Sequence, residues 1–325
     1  MISFGLLALL LAFLSLWSLT VGTTAIPLSD ALRAVTSEGT SHQDVIISTI
    51  RLPRVLTAII VGSTLGVAGA LMQAVTSNPL ASPDLLGISA GAAFAVVISI
   101  VFFNAQSPLV FLWFAFGGAA VAGAIVYVIA AAGISGVTPV KLALSGAVLS
   151  VFLGSVSASL LIFDMKAIDT IRMWSVGSLV GKEMASVVAV APFALAGVAA
   201  TLLLAKEVTT LSLGADVAQA VGQNVVVWRL ISGAMVILMA GSSVALAGPI
   251  GFVGLVVPHI VRLSVGIDYR WILPFCALSG ALLVVTADGL QRSLTGIDIP
   301  VGVTLALIGA PFFVWLARSR SGGIA

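Results

Sequence analysis

The side chains that could perform covalent chemistry are few and scattered in this chain of 325 residues, which has two histidines and one cysteine. No Ser–His–Asp set or carboxylate pair has a spacing typical of nucleophilic or acid–base catalysis. The closest approach to a phosphate-binding loop, residues 177–183, has one residue too few between its glycines and ends in Glu183 instead of Ser or Thr. His259, without a second His or Cys nearby, is more typical of a buried polar residue than of a metal ligand. The pattern predicts no enzyme and no bound metal or cofactor.

Arginines at the ends of apolar runs are the most informative polar residues. Arg51 and Arg54 flank Pro53 at the start of one run, where proline fits a first helical turn. Such arginines either reach the membrane surface as anchors or bind carboxylates of a partner protein, and their spacing leaves both interpretations open. Asp288 and Arg292 are four residues apart, which predicts a helical ion pair with a structural Asp288 and an outward-reaching Arg292.

The same apolar run ends in an irregular stretch, residues 78–87. Pro79 and Pro83 prevent a continuous helix there, so the sequence predicts a turn. This turn is either an ordinary one capped by Asp84 or a constriction that moves during transport.

A short amphipathic helix is predicted within residues 206–229. Leu213, Val217 and Val221, together with Ala220, fall on one helical face, with Ser212 as a candidate N-cap and Gly222 as a stop. Such a helix either lies on the membrane or inserts its apolar face into a groove of a soluble partner.

The amino-acid composition predicts what kind of structural elements position these residues. The chain is 60% apolar and only 8% charged, with a mean hydropathy of +1.23, whereas soluble domains are about 45–50% apolar and about 25% charged. Its 14 basic and 12 acidic side chains cannot cover a water-facing surface of this size. The composition excludes a soluble globular enzyme and a disordered chain, and it indicates an all-α polytopic membrane protein.

Charge-free intervals long enough to cross about 30 Å of hydrocarbon predict ten transmembrane helices. They are residues 1–29, 55–83, two within 85–140, 142–163, 184–205, two within 230–261, 271–287 and 299–317. The eighth is short, so nine or eleven spans are alternatives, and the first is expected to be an uncleaved helix. With the N-terminus inside, seven basic residues fall on each side, so charge does not set the orientation. Residues 1–325 are expected to form one transmembrane domain. Most of the glycines within the spans, such as Gly62, Gly66, Gly69, Gly117 and Gly118, are expected to lie in close helix contacts.

A weak internal repeat supports transport. Six identities recur at an offset of 179 residues: Gly62-Ser63 with Gly241-Ser242, Ala68-Gly69 with Ala247-Gly248, Pro79 with Pro258, and Gly87 with Gly266. The offset pairs the second predicted span with the seventh, which runs in the opposite direction. Inverted-topology repeats of this kind are common in transporters.

The irregular strings of the chain resemble the FecCD family, the permease subunits of ABC importers for ferric siderophores, haem and cobalamin. The resemblance extends in order from about Arg51 to Arg318. It rests on Arg51-Leu-Pro-Arg54, Gly69-Ala-Leu-Met-Gln73, Asn78-Pro-Leu-Ala81, Leu85-Leu-Gly87, Ala247-Gly-Pro-Ile-Gly-Phe-Val-Gly-Leu-Val-Val-Pro-His259, Leu273-Pro274, Pro300-Val-Gly-Val303 and Ile308-Gly-Ala-Pro311.

The resemblance implies the fold and the partners. It implies ten helices arranged as in the cobalamin-importer permease, both termini in the cytoplasm, and a multi-pass position in the bacterial inner membrane. Two permease subunits, identical or related, would enclose a central pathway lined by the fifth and tenth spans. A dimer of ATP-binding cassette ATPase subunits would lie below it and a periplasmic or lipoprotein substrate-binding protein above. ATP hydrolysis would then occur on the separate ATPase chain. No nucleic acid is expected.

The resemblance also implies roles for residues at matching positions. Arg51, Arg54 and Arg292 would contact acidic residues of the binding protein. The cytoplasmic coupling helix, within residues 206–228, would include Leu213, Gly214, Asp216, Val217 and Gly222, and the cytoplasmic gate would include Asn78, Pro79 and Leu80. The expected cargo is an iron(III)–siderophore chelate, with haem or cobalamin as the alternative.

Two other classes of protein are alternatives to this expectation. A secondary transporter could use the same inverted repeat without ATP, but every acidic residue lies near the end of a span, whereas a proton-coupled carrier needs ionisable groups at mid-membrane depth. A structural or assembly protein of the membrane would have no cargo. Uptake in the absence of any ATPase subunit would favour the secondary transporter.

Overall fold

The computed structural model describes residues 2–22, 24–36, 41–132, 137–163 and 165–321, and within these ranges the regular secondary structure is helical, with no strand. The helices in chain order are α1 (Ile2–Thr20), α2 (Leu28–Thr36), α3 (His42–Ile46), α4 (Leu52–Thr76), α5 (Ile88–Phe103), α6 (Pro108–Ala131), α7 (Pro139–Leu161), α8 (Met165–Ser175), α9 (Met184–Leu203), α10 (Ala205–Ser212), α11 (Ala215–Ala220), α12 (Val225–Ala247), α13 (Val253–Val265), α14 (Tyr269–Thr295) and α15 (Val301–Ser321). A π-helical turn, Ile47–Arg51, joins α3 to α4, and a 3₁₀ turn, Pro83–Leu86, precedes α5.

The membrane-spanning class is confirmed. Within the described ranges, seven helical stretches are long and apolar enough to cross a membrane: α1, α3 continuing into α4, α6, α7, α9, α12 and α14. Three shorter apolar helices, α5, α13 and the first part of α15, coincide with the remaining predicted spans. The number of ten spans is not confirmed, because these three helices are shorter than the usual thickness of the hydrocarbon core requires.

Helix α4 lies at the centre of the bundle, where it contacts α14, α12, α13 and α9. Its glycines allow this close approach. A Cβ atom added to Gly62 would lie 2.3 Å from the carbonyl oxygen of Gly280, and one added to Gly69 would lie 1.9 Å from that of Gly254. The expected close packing through small residues is confirmed at these positions. Gly117 is an exception, because a Cβ there would meet no atom within 4 Å.

Helix α7, in contrast to α4, is mostly exposed, because only 11% of its most apolar segment is buried within this chain. It contacts α5 and α6, while Leu144, Val148 and Val151 are exposed. Apolar side chains exposed along a whole helix must meet lipid or another subunit.

The prolines of the expected repeat are not equivalent. Pro79 lies in the turn after α4, whereas Pro258 lies inside α13. Gly87 and Gly266 do correspond locally, since both end a helix with a positive φ, of 67° and 84°. The loop-proline match is therefore wrong, and the inverted repeat stays a prediction.

Candidate functional site

The predicted docking residues lie together at one end of the bundle, where α4 begins and antiparallel α14 ends. Two nitrogens of the Arg54 guanidinium donate to the Asp288 carboxylate, with Nη2 2.8 Å from Oδ1, and Nη1 lies 2.5 Å from Asp298 Oδ1. Arg292 Nη2 lies 3.0 Å from the other oxygen of Asp288. Bidentate contacts of this kind fix both partners in position. We call Arg51, Arg54, Asp288, Arg292 and Asp298 the arginine cluster.

Arg51, the remaining member of the cluster, binds backbone carbonyl groups and not a carboxylate. Its guanidinium donates to the carbonyl oxygens of Leu19, at 2.7 Å, and Thr24. In the described part of the chain, no Asp or Glu oxygen lies within 4.0 Å of it. Three arginines face two carboxylates, so the cluster keeps one excess positive charge. A cavity of about 190 Å³ opens between Arg51, Arg54, Arg292 and Asp298.

The burial of these arginines argues against one of the two interpretations, and the docking role stays a prediction. Arg51, Arg54 and Arg292 are each only 5% exposed, so they are not anchors that extend to the membrane surface. The ion pair between Asp288 and Arg292 is confirmed. Arg292 does not reach outward, however, because its Nη1 donates to the carbonyl oxygen of Val21 at 2.7 Å, at the end of α1.

The predicted gate lies at the other end of α4. Ser77 ends the helix in the left-handed conformation, with φ 49°, and the Asn78 side chain then accepts a hydrogen bond from the Leu80 N–H at 2.9 Å. Asp84 does not cap this turn; its carboxylate accepts from the Ser89 hydroxyl. Leu80 is 47% exposed. The Asn78 side chain therefore stabilises a compact turn, and Leu80 projects from it.

The predicted coupling residues form a short helix, α11, between two glycines with positive φ. Gly214, at φ 102°, precedes α11, and Gly222, at φ 84°, follows it. A side chain would strain the backbone at both positions. Gly222 is confirmed as the stop, whereas Ser212 as N-cap is wrong: Ser212 ends α10 and its hydroxyl donates to Thr209. The predicted apolar face, with Leu213, Val217, Ala220 and Val221, is exposed, as is Asp216.

The structure brings the gate and the coupling segment together. Asn78 and Pro79 share the lining of one cavity of about 270 Å³ with Ser212 and Leu213; we call it the gate cavity. Residues that the motifs did not single out for a role complete its lining: Gln73, Ser77, Arg262, Ile267 and Tyr269. Of these five residues, only Gln73 belongs to one of the strings noted in the sequence, Gly69-Ala-Leu-Met-Gln73.

His259 lies inside α13, where it is buried with its ring edge-on to Phe312. Across the described ranges, no three His, Cys, Asp or Glu side chains lie close enough to hold a metal ion.

Comparison with known proteins identifies the family. The model of the FecCD transport family matches residues 10–319. This chain belongs to the FecCD family. It is 46% identical to the Fe(3+)-citrate import system permease protein YfmD of Bacillus subtilis (strain 168), over 93% of this chain and 90% of that protein. It is 38% identical to the ferric enterobactin transport system permease protein FepD of Escherichia coli (strain K12), over 98% and 95% of the two chains.

A solved structure agrees with the fold. An inward-facing conformation described as that of a "metal-chelate type ABC transporter" superposes with a TM-score of 0.82 at 28% identity, over 97% of this chain and 98% of the other. This FecCD protein is therefore a multi-pass membrane protein and a permease subunit of a metal-chelate or siderophore-type ABC importer. Such a permease implies ATPase and binding-protein partners.

Proposed function

We propose that this chain is the membrane-spanning subunit of an ATP-driven importer in the bacterial inner membrane, and that it moves a ferric chelate into the cytoplasm. The observation that carries the proposal is the location of two different sites at opposite ends of α4. A cluster with excess positive charge lies at one end, and a gate beside an exposed coupling helix lies at the other. This arrangement suits a conduit that responds to proteins on both of its faces.

The arginine cluster is proposed as the docking site for the binding protein. A carboxylate that enters the cavity would meet the excess positive charge of Arg51, the one arginine of the cluster without an acidic partner among the described residues. It would compete with Asp298 for Arg54, because Asp298 is the exposed acid of the cluster, with 44% of its side chain accessible. Opposite charges at such a contact mainly speed association and fix its register.

Helix α11 is proposed as the contact with the ATPase. Its exposed apolar residues Leu213, Val217 and Val221 form a face that can enter a groove of a soluble protein. The other face is anchored, since Ala218 is fully buried and the Gln223 side chain donates to the Glu207 carbonyl oxygen of α10 at 2.9 Å. Because one face of α11 is anchored to this chain and the other can bind the ATPase, a displacement of the ATPase can be transmitted through α11.

The exposed face of α7 is proposed to meet a second permease subunit, identical or related, and α15 is proposed to line the pathway as well. The face combines apolar residues such as Val151 and Phe152 with the hydroxyls of Ser155 and Ser159, which donate back to their own helix. Such a surface offers a bulky chelate no strong ligand that would hold it in the pathway.

Ferric chelate is the proposed cargo, and haem or cobalamin is the alternative. We would express the chain with its ATPase and binding protein in a strain without other iron importers and measure uptake of radiolabelled iron as ferric citrate and as ferric enterobactin. Unlabelled haem and cobalamin would be added as competitors, and uptake of radiolabelled haem and of radiolabelled cobalamin would be measured in parallel. Uptake of at least one iron chelate that neither competitor inhibits supports the proposal. Uptake of haem or cobalamin, with no iron chelate transported, would refute the cargo.

The docking role is tested by Arg51→Gln, which removes the charge of Arg51 while its amide can still donate to a backbone carbonyl. Arg33→Gln is the matched control, because Arg33 lies nearby on α2 but outside the cavity and is 57% exposed. Affinity for the binding protein should fall about 5–10-fold in the first variant, as loss of about 1 kcal/mol predicts, and lose part of its salt dependence. Equal affinities in the two variants would refute the assignment.

A further inference from the structure

A continuous series of contacts connects the coupling segment, residues 206–228, to the gate turn, residues 77–80. We propose that Arg262 is the positioning residue of this series, through which movement of the coupling segment reaches the gate. The proposal rests on the proposed function, because it presumes that an ATPase moves α11.

The first half of the series joins α11 to α14. Gln223, just after α11, donates to the Glu207 carbonyl oxygen of α10 at 2.9 Å. Two residues further along α10, the Thr209 hydroxyl accepts a hydrogen bond from the Tyr269 N–H at 3.1 Å, at the first residue of α14. A displacement of α11 is therefore passed through α10 to the start of α14.

The second half joins α14 to the gate turn. The Tyr269 side chain is buried beside the Arg262 guanidinium, with which it interacts electrostatically. Arg262 Nη2 donates to the Gln73 side-chain oxygen. The Gln73 backbone carbonyl in turn accepts from the Asn78 N–H at 3.2 Å, inside the gate turn. Gln73 thus contacts both Arg262 and the gate.

The partners of Arg262 distinguish it from the arginine cluster. The structure shows no Asp or Glu oxygen within 4.0 Å of Arg262 in the ranges it describes, so its contacts here are with the neutral side chains of Gln73 and Tyr269. Hydrogen bonds to neutral groups are weaker than a buried ion pair. Arg262 also lines the gate cavity, whose volume of about 270 Å³ leaves room for its side chain to move. Its contacts can therefore be remade during a transport cycle, whereas those of Arg54 with Asp288 are fixed.

The gate is observed through a cysteine at Leu80, which is 47% exposed. Leu80→Cys is made together with Cys276→Ala, so that the reporter is the one thiol of the chain. In the complete complex with its ATPase, the rate of reaction with a water-soluble maleimide is measured without nucleotide and after trapping with ATP and vanadate. We expect trapping to change the rate at least threefold in this parent.

Arg262→Leu should bring this ratio of rates to one while ATP hydrolysis stays within twofold of the parent. Arg262→Lys should restore part of the ratio, because an ammonium can still donate to Gln73. Arg229→Leu is the matched control and should keep the full ratio: Arg229 is a second arginine of the same half of the chain, but its guanidinium donates to the Val137 carbonyl oxygen at 2.9 Å, outside the series.

Three results would contradict the proposal. A full ratio in Arg262→Leu would show that the gate moves without this residue. Loss of ATP hydrolysis together with the ratio would show a role in assembly. If Arg262→Leu fails to assemble, Tyr269→Phe, which removes one hydroxyl, must lower the ratio, and an unchanged ratio overturns the proposal. A parent that binds its ATPase but shows no nucleotide-dependent rate would refute the proposed ATP-driven function itself.

Discussion

Asp288 is predicted to be the acid on which the stability of the arginine cluster depends. Its carboxylate is 2% exposed and contacts both Arg54 and Arg292, whereas Asp298 is 44% exposed and contacts Arg54 alone within the cluster. Asp288→Asn leaves two buried guanidinium groups short of negative charge, and breaking such a buried pair costs about 3–5 kcal/mol. Asp298→Asn removes a half-exposed partner, which contributes about 1 kcal/mol or less. The two substitutions have the same chemistry, so each is the control for the other.

Unfolding of these variants can be followed with a cysteine that the chain already contains. Cys276 is its one cysteine and is fully buried, so a thiol-reactive fluorophore reports unfolding directly. At about 2 °C per kcal/mol, Asp288→Asn should lower the apparent Tm by roughly 6–10 °C and Asp298→Asn by no more than roughly 2 °C. Arg54→Gln should cost less in the Asp288→Asn background than in the unaltered chain, because the partners are coupled. Equal losses from the two Asp substitutions would refute the reasoning.

Three further predictions concern packing, pH and the coupling helix. Gly69→Ala places a methyl group 1.9 Å from the Gly254 carbonyl oxygen and should abolish expression of folded protein. Gly117→Ala, with open space around it, should have a Tm within 1 °C of the unaltered chain, about the scale of a neutral surface change. Fluorescence-detected size exclusion compares the two variants. Burial lowers the pKa of Lys182, in the loop before α9, from 10.5 to about 8, because the charged ammonium is less stable in the folded state than in the unfolded state. Lys182→Met should therefore raise the Tm at pH 7. This gain should disappear as the pH rises from about 8 to about 10.5. Val217→Asp should weaken copurification of the ATPase at least tenfold, since it places a charge in the apolar face of α11, and undiminished copurification would contradict that contact.

Local signals predicted the elements well. Pro53 in the first turn of α4, Gly222 after α11 and the Asp288–Arg292 pair all follow from positions close together in sequence. Charge-free intervals located the apolar helices because one side chain at a time decides whether a segment tolerates hydrocarbon. The start of α11 was missed, since Ser212 continues α10 and Gly214 takes the non-helical position.

The contacts that build the sites were not predictable from spacing. Asp298 meets Arg54 across 244 residues, and Arg262 meets Gln73 across 189. No periodicity relates residues so far apart, and only the packing of α4 against α13 and α14 brings them together. Pro258 was misjudged for a related reason, because a proline inside a helix is tolerated where neighbouring helices compensate for its missing hydrogen bond.

The central claim, that this permease conducts only when driven by proteins on its two faces, is tested most directly in proteoliposomes. The purified chain is reconstituted alone and with its ATPase and binding protein, and ATP hydrolysis is measured together with accumulation of radiolabelled iron as ferric citrate or ferric enterobactin. We predict neither activity for the chain alone and both for the complete complex. Iron accumulation, or nucleotide hydrolysis, by the chain without its ATPase would contradict the account.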